Sequence, residues 1–532
     1  MKLFGSDRDW PAASWRRPAW ERFLIGCLSE HWRRQWRPAL VVLLITICFR
    51  QVCAEATPRG DKASSKPNVL LILSDDQSAH LGCLGDPAAT TPNLDRFAGQ
   101  GMLFDKQFCV SPQCVPSRAG FVTGRSAVAA RITRFSSPLP ADVPALPDLF
   151  KSNGYYTGIC RRSYHLDGPG GDGVTGRVLH DHPEMRTFAQ RADFIDVSSS
   201  RDKTIDTVNA FFDKVPVGEP WFLWVNFNEP HHPWMVQAPK EATDPAKIKV
   251  PAYLPDIPEV RRDLARYHDE VAAMDEEFQW VMDVLDKRGL TKNTLVVFLG
   301  DNGYAFPHGK GSLYDPGLNT PLLVRWPGHI QAGGQSSELI SGEDIAPTIL
   351  EAAGVPAPKG MTGHSFLKLL EGKQFDARKY VFAERGPHGQ ATFNENTKAS
   401  GFDRSRCVRS KQFKLIYNCT PNQVYQPVDS SGDPYWKALT ALHDEGKLAK
   451  EFEQAYFTTP RPIYELYDLE NDPAELHNLA GQREFAKIER ELKIALQEKM
   501  ILDYDYLPLP IAGEANARKG ARARGRSALE EK

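Results

Sequence analysis

The chain has 532 residues, 65 Lys+Arg against 67 Asp+Glu, and nine cysteines. That length leaves room for two domains or one large α/β domain with an appendage, and 41% apolar with 25% charged residues excludes a largely disordered chain. A formal charge of -2 speaks against a dedicated nucleic-acid binder, and nine cysteines are too sparse for a disulfide-stapled scaffold.

Residues 1–56 read as a signal peptide. An arginine-rich stretch ends at Pro38, an apolar run fills 39–49 (ALVVLLITICF), and small residues around Ala54 and Ala56 offer a cleavage site. The apolar run is too short to span a bilayer comfortably. An exported protein, periplasmic or secreted, is therefore expected, with no stable membrane span after cleavage.

Strand and helix patterns then alternate. Residues 68–73 (NVLLIL), 220–227 (PWFLWVNF), 294–299 (TLVVFL) and 321–326 (PLLVRW) are near-continuous apolar runs, the pattern of strands buried on both faces. Thr91-Pro92-Asn93-Leu94-Asp95 opens a short helix, with proline early and an acid in the first turn. In 261–287, Val271, Met274, Phe278, Val281 and Leu285 recur at helical spacing. The alternation predicts an α/β fold, a mostly parallel sheet flanked by helices.

From about residue 390 the pattern weakens. Strands are expected at 414–417 and 464–469, and an amphipathic helix over 484–500. The expected organisation is a catalytic domain over 57–390, a smaller C-terminal α+β subdomain over 391–510 (an antiparallel sheet plus helix), and a disordered basic tail over 511–532. Cys407 and Cys419, twelve residues apart, are candidates for a hairpin disulfide in an oxidising compartment. Cys83, Cys109, Cys114 and Cys160 fit no zinc spacing.

Two acidic clusters follow buried strands, where open α/β sheets place their ligand crevice. Asp75-Asp76 follow 68–73, and Asp301-Asn302 follow 294–299. Like charges repel and burial opposes ionisation, so two converging clusters would be tolerated if a hard cation neutralises them, whereas either pair taken alone also reads as a turn or helix cap. Three carboxylates and an amide are all oxygen donors, which suits Ca²⁺, or Mg²⁺ second, over zinc.

The segment Cys114-Val115-Pro116-Ser117-Arg118, continued by Thr123-Gly124, resembles the C-x-P-S-R…T-G signature of the type I sulfatases. Asp75-Asp76, Thr91-Pro92-Asn93-Leu94-Asp95 and Asp301-Asn302-Gly303 stand around it in that family's order, and the resemblance runs from about Asn68 to Leu469. Within the family the chain is most similar to the heparan N-sulfatase (N-sulfoglucosamine sulfohydrolase) branch, notably at 301–310 (DNGYAFPHGK).

The resemblance implies an alkaline-phosphatase-like fold and a Cα-formylglycine made from Cys114 by a formylglycine-generating enzyme. Its hydrate attacks sulfur with one hydroxyl and expels sulfate through the other, covalent catalysis with a built-in release step. The implied ligands of one Ca²⁺ are Asp75, Asp76, the modified Cys114, Asp301 and Asn302. Arg118 would hold the formylglycine, His165 would deprotonate its second hydroxyl, His231 would protonate the leaving group, and Lys310 would bind sulfate. The family's lysine two residues before the first histidine is Ser163 here, and Arg162 is assigned its cationic role. His232 and His308, beside these positions, are expected to support them or touch substrate.

Three functions follow from this reading. The first is an exported sulfatase acting on a sulfated glycan, N-sulfoglucosamine-containing (heparan-like) or another polysaccharide sulfate. The second is a phosphodiester or phosphonate monoester hydrolase of the same superfamily. The third is a catalytically dead, calcium-dependent glycan-binding protein.

Overall fold

The computed structural model describes residues 66–134, 138–162, 181–182, 186–196, 198, 200–235, 242–388 and 403–506. The expected signal segment 1–56, His165, the boundary at 390 and the tail over 511–532 lie outside the described residues.

The apolar run after Pro67 becomes β1 (Asn68–Ser74), all seven residues buried, as a strand covered on both faces requires. Numbered along the chain, the strands are β2 (Met102–Phe104), β3 (Gln107–Phe108), β4 (Tyr156–Arg161), β5 (Phe194–Asp196), β6 (Trp221–Asn226) and β7 (Thr294–Gly300). After these come β8 (Leu322–Arg325), β9 (Gly334–Ser336) and β10 (Ile340–Ser341). Eight of them form one sheet in the order β5-β4-β6-β1-β7-β8-β2-β9, and β3 pairs with β10.

β1 is parallel to β6 and to β7, with Leu70 level with Leu223 and Val296. β4 and β5 continue the parallel run, whereas β8 is antiparallel to both β7 and β2. The mostly parallel sheet expected from the strand–helix alternation is the one observed.

Alternate residues of each central strand feed two cores. Val69, Leu71, Trp224, Val297 and Leu299 pack with Val115 and Phe121 of the helix Cys114–Thr123 and with Ile349 of Ile345–Ala352. Leu70, Ile72, Leu223, Val225 and Phe298 face Val271, Met274, Phe278 and Leu285 of the helix Pro258–Lys287. That helix starts three residues before the expected 261, because Pro258 sits in its first turn, where its missing N–H goes unused.

A second, four-stranded antiparallel sheet orders β11 (Val381–Arg385), β12 (Ser405–Arg409), β13 (Phe413–Asn418) and β14 (Tyr464–Asp468). Leu492 and Leu496 of the helix Ala486–Leu502 cover Val408, Leu415 and Leu466 on one of its faces. β11 precedes residue 390 in the chain, yet belongs to this sheet.

The disulfide expected between Cys407 and Cys419 is not formed; both cysteines are free. Register is the reason. Cys407 is level with Ile416, so Cys419 lies three residues further along, about 10 Å away at strand rise and on the opposite face. Among the described residues, no helix is long and apolar enough to cross a membrane.

Gly158 in β4 lets the helix Thr204–Phe212 pack close: a Cβ there would stand 2.4 Å from the Phe211 ring. Gly158→Ala should destabilise the fold by about 1–3 kcal/mol, the usual scale of overpacking a filled core. The measurement is a lower urea midpoint at unchanged slope.

Candidate active site

Four strand exits are stitched together at the carboxyl end of the large sheet. Asp301 N–H donates to Ser74 O at 3.0 Å, Phe227 N–H to Leu73 O at 2.8 Å, and Arg162 N–H to Asn226 O at 3.1 Å. Asp76 turns out of β1 with φ 60°, a left-handed conformation that Asp tolerates better than most residues. One oxygen of Asp301, Oδ1, accepts from the Asp76 amide at 2.8 Å and from the Asn302 amide at 2.7 Å. Gly303 completes this exit because a Cβ there would lie 1.9 Å from Pro316 O.

Cys114 is the first residue of a helix buried along its whole length. Its Sγ lies 3.5 Å from Asp75 Oδ1 and 3.8 Å from Asp76 Oδ1. Burial, with repulsion from these carboxylates against the pull of Lys310, pushes the thiol well above its ordinary pKa. The unmodified side chain is therefore held as a thiol, a poor nucleophile. Ser117, one helical turn on, donates its hydroxyl to Asp301 O.

Arg118 has no solvent exposure and divides its fork among three strand exits. Nε donates to Asp301 Oδ2 at 2.9 Å, Nη2 lies 3.0 Å from Asp75 Oδ2, and Nη1 donates to Asn226 Oδ1 at 2.8 Å. Burial opposes its charge, but Asp75 and Asp301 outweigh that and raise its pKa.

Of the two arginines at the end of β4, Arg162 is the one aimed at this cluster, with Nη1 2.9 Å from Asp75 Oδ2. Arg161, at φ 70°, turns away to Glu277 of the long helix, Nε to Oε1 at 2.8 Å. Lys310 closes the opposite side: Nζ is 2.8 Å from Asp76 Oδ1, 2.7 Å from Asp429 Oδ2 and 3.2 Å from His231 Nε2. Burial and the Lys310 charge depress His231 well below its ordinary pKa, whereas Asp429 and Asp76 outweigh burial and raise that of Lys310.

The structure thus brings together Asp75, Asp76, Cys114, Arg118, Arg162, His231, Asp301, Asn302 and Lys310. His165 lies outside the described residues. His308 does not join them, a correction to the expected role: it is buried between the rings of Tyr253 and Tyr314, bonded through Nδ1 to Tyr456 Oη at 3.0 Å. Burial drives its pKa down to about 3, as for a neutral packing element. His232 points to Asp433, Nε2 to Oδ2 at 2.7 Å.

Asp429 went unnoticed in the sequence. It anchors Lys310, lies 4.0 Å from His231 and 3.6 Å from His388, and comes from a loop beyond β13. Its local sequence, Val428-Asp429-Ser430-Ser431-Gly432, is indistinguishable from an ordinary turn.

The carboxylate and amide oxygens here would fit a hard divalent cation, while Cys114 and His231 bring softer donor atoms to the same place. Ligand atoms of Asp75, Asp76, Cys114 and His231 lie within 4.8 Å of one another, and the buried Asn302 Oδ1 has no hydrogen-bond partner among the described residues. Burial and mutual repulsion push the Asp301 carboxyl up to about 7 and raise Asp76 as well, so the nearby cations leave negative charge undercompensated. Asp301 itself is held by two amides and Arg118.

An acidic cradle with cationic walls at a strand-end crevice is suited to receiving an anionic group beside a cation. The sulfatase family pattern matches residues 67–355, and the pattern described as N-sulphoglucosamine sulphohydrolase, C-terminal, matches 303–455. The chain belongs to the sulfatase family, hydrolases of sulfate esters and sulfamates.

An ulvan-active sulfatase of Formosa agariphila is 28% identical over 88% of this chain and 82% of its own. Human N-sulphoglucosamine sulphohydrolase is 28% identical over 79% and 87%. A structure solved in complex with its substrate D-glucosamine-2-N,6-O-disulfate superposes with TM-score 0.59 at 21% identity, covering 84% of this chain and all of that one. A phosphonate monoester hydrolase from Silicibacter pomeroyi gives 0.63 at 20%, covering 82% and 96%. At these identities the two structures establish the shared fold.

The raised Asp301 carboxyl makes stability pH-dependent without a cation. Native Asp301 holds its proton up to about 7 and the unfolded chain releases it near 3.8, so stability falls as pH rises through that window. In chelated protein, the thermal midpoint of Asp301→Asn should gain on wild type between pH about 4 and 7. An excess of a divalent cation that binds this group should restore wild type at neutral pH.

Proposed function

We propose that this sulfatase removes sulfate from a sulfated glycan, with N-sulfated glucosamine at a chain end as preferred substrate. The observation that carries the sulfatase chemistry is the Cys114 side chain set among Asp75, Asp76, Arg118, Arg162 and Lys310 at the strand exits. The C-terminal match over 303–455 and the similarity to the human sulphohydrolase support the N-sulfated substrate. The short apolar run 39–49 supports export, periplasmic or secreted, where a glycan polymer would be met.

Asp75, Asp76, Asp301 and Asn302 would hold Ca²⁺, whose Lewis acidity would polarise the sulfuryl group. A formylglycine made from Cys114 by a formylglycine-generating enzyme would supply, as its hydrate, the attacking hydroxyl and the hydroxyl that later expels sulfate. Arg118 holds that residue's surroundings in one geometry, bridging Asp75 and Asp301. Arg162 and Lys310 present cations to the sulfuryl oxygens from two sides, and Asp429 keeps Lys310 in place. Lys310 donates to His231 Nε2, so the pair can pass a proton to the leaving atom once the substrate anion enters. His165 is assigned the deprotonation of the second hydroxyl.

The test is sulfate release from a panel of N- and O-sulfated mono- and disaccharides, with an aryl sulfate and an aryl phosphate diester as references. Wild type should act on N-sulfoglucosamine. Release from O-sulfated sugars alone would remove the N-sulfated substrate and keep the sulfatase, while faster phosphate diester turnover would replace both. Cys114→Ala should abolish turnover with the fold intact, and retained release would refute covalent catalysis.

Arg162→Ala should raise the barrier in kcat/KM by about 2–4 kcal/mol, the scale for deleting one preorganised electrostatic contact in a dry site. Arg162→Lys should recover part of that, and Ser163→Ala should change little. A silent Arg162→Ala beside an inactive Ser163→Ala would show that Ser163 occupies the cationic position.

A further inference from the structure

Outside the sulfatase site, three side chains converge where the segment leaving β1 meets the long helix. His80 Nδ1 lies 2.6 Å from Asp86 Oδ2, and His268 Nε2 lies 3.1 Å from the same oxygen. The other nitrogen of His268, Nδ1, lies 2.8 Å from the carbonyl oxygen of Leu264. A carbonyl only accepts, so His268 Nδ1 carries the hydrogen. In a neutral ring, Nε2 is then a lone pair facing a carboxylate oxygen, and two acceptors at that distance repel. The His268 side chain is only 4% exposed and 3.1 Å leaves no room for a water between the two atoms, so a proton on Nε2 or a metal ion must relieve the conflict.

We propose that His80, Asp86 and His268 form a second metal site, for a divalent transition cation of the Zn²⁺ class. One ligand atom from each lies within 4.8 Å of the others. Two imidazole nitrogens and one carboxylate suit borderline Zn²⁺, in contrast to the oxygen-rich cluster at the strand exits. An N–H to a backbone carbonyl is how proteins fix the tautomer of a ligating histidine, and Leu264 supplies it here.

Access is present on one side: the His80 and Asp86 side chains are 22% and 14% exposed, so an ion can enter and a water can complete a tetrahedron. Burial opposes the Asp86 charge, but the two imidazoles outweigh it and hold that carboxyl well below the usual range, ready to ligate. The ion would brace the segment leaving Asp75-Asp76 against the helix Pro258–Lys287. His80 also packs on the rings of Tyr267 and Tyr304, the latter two residues after Asn302.

The test uses the full chain saturated with Ca²⁺, dialysed against Zn²⁺ and then metal-free buffer, with bound zinc counted by atomic spectroscopy. Wild type should hold one zinc per chain more than His80→Ala or His268→Gln, and zinc should raise its thermal midpoint but not theirs. Asp301→Ala should keep the zinc, which separates this site from the strand exits. His80→Ala gives up packing on Tyr267 and Tyr304, so its zinc-free midpoint should fall; a retained cooperative transition shows that it folds, and its lost zinc then reports a lost ligand. Equal zinc in wild type and His80→Ala, or no zinc-dependent shift in wild type, would overturn the proposal and assign the geometry to a proton on His268.

Discussion

The Arg118 guanidinium is out of contact with solvent, and each part of its fork is committed to a different strand exit. A buried arginine left without partners would be strongly destabilising, so its position dictates where Asp75, Asp301 and Asn226 must lie. The helix that carries it also carries Cys114 one turn earlier, buried on every residue. Fixing Arg118 therefore fixes the cysteine, and the three parallel strands β1, β6 and β7 set the distances.

Charge balance explains why the rest of the site is shaped as it is. Asp75, Asp76 and Asp301 share one buried crevice, with Arg118, Arg162 and Lys310 against them. Asp429 claims part of Lys310, so the acids outnumber the cations, and burial leaves Asp76 and Asp301 with raised carboxyls. An added cation would offset that imbalance. The same crowding raises the Cys114 thiol well above its ordinary pKa, which leaves it a poor nucleophile as it stands.

The second sheet contributes more than a cap. Asp429, in the loop between β13 and β14, reaches Lys310 and lies near His231, so the C-terminal region completes the wall of a site built on the large sheet. His308 plays the opposite part: it stands two residues from Lys310 in sequence, yet its ring locks Tyr253, Tyr314 and Tyr456 together. Proximity along the chain decided neither role.

The sequence by itself determined the central strands, because runs such as 68–73 and 294–299 are apolar without alternation and can only be buried on both faces. It determined the strand-end acids and the cysteine–arginine motif as well, since these are local in the chain. Short strands such as β2, β5 and β9 were not legible, being three residues long and held by their neighbours. Only tertiary structure decided which of two adjacent arginines faces the site, because that depends on the positive φ of Arg161 and on Glu277, 116 residues away. It also decided that Cys407 and Cys419 stay apart, that His308 is a packing group, and that Asp429 holds Lys310. Each of these depends on register or on a partner distant in the chain, and spacing along one strand carries no information about either.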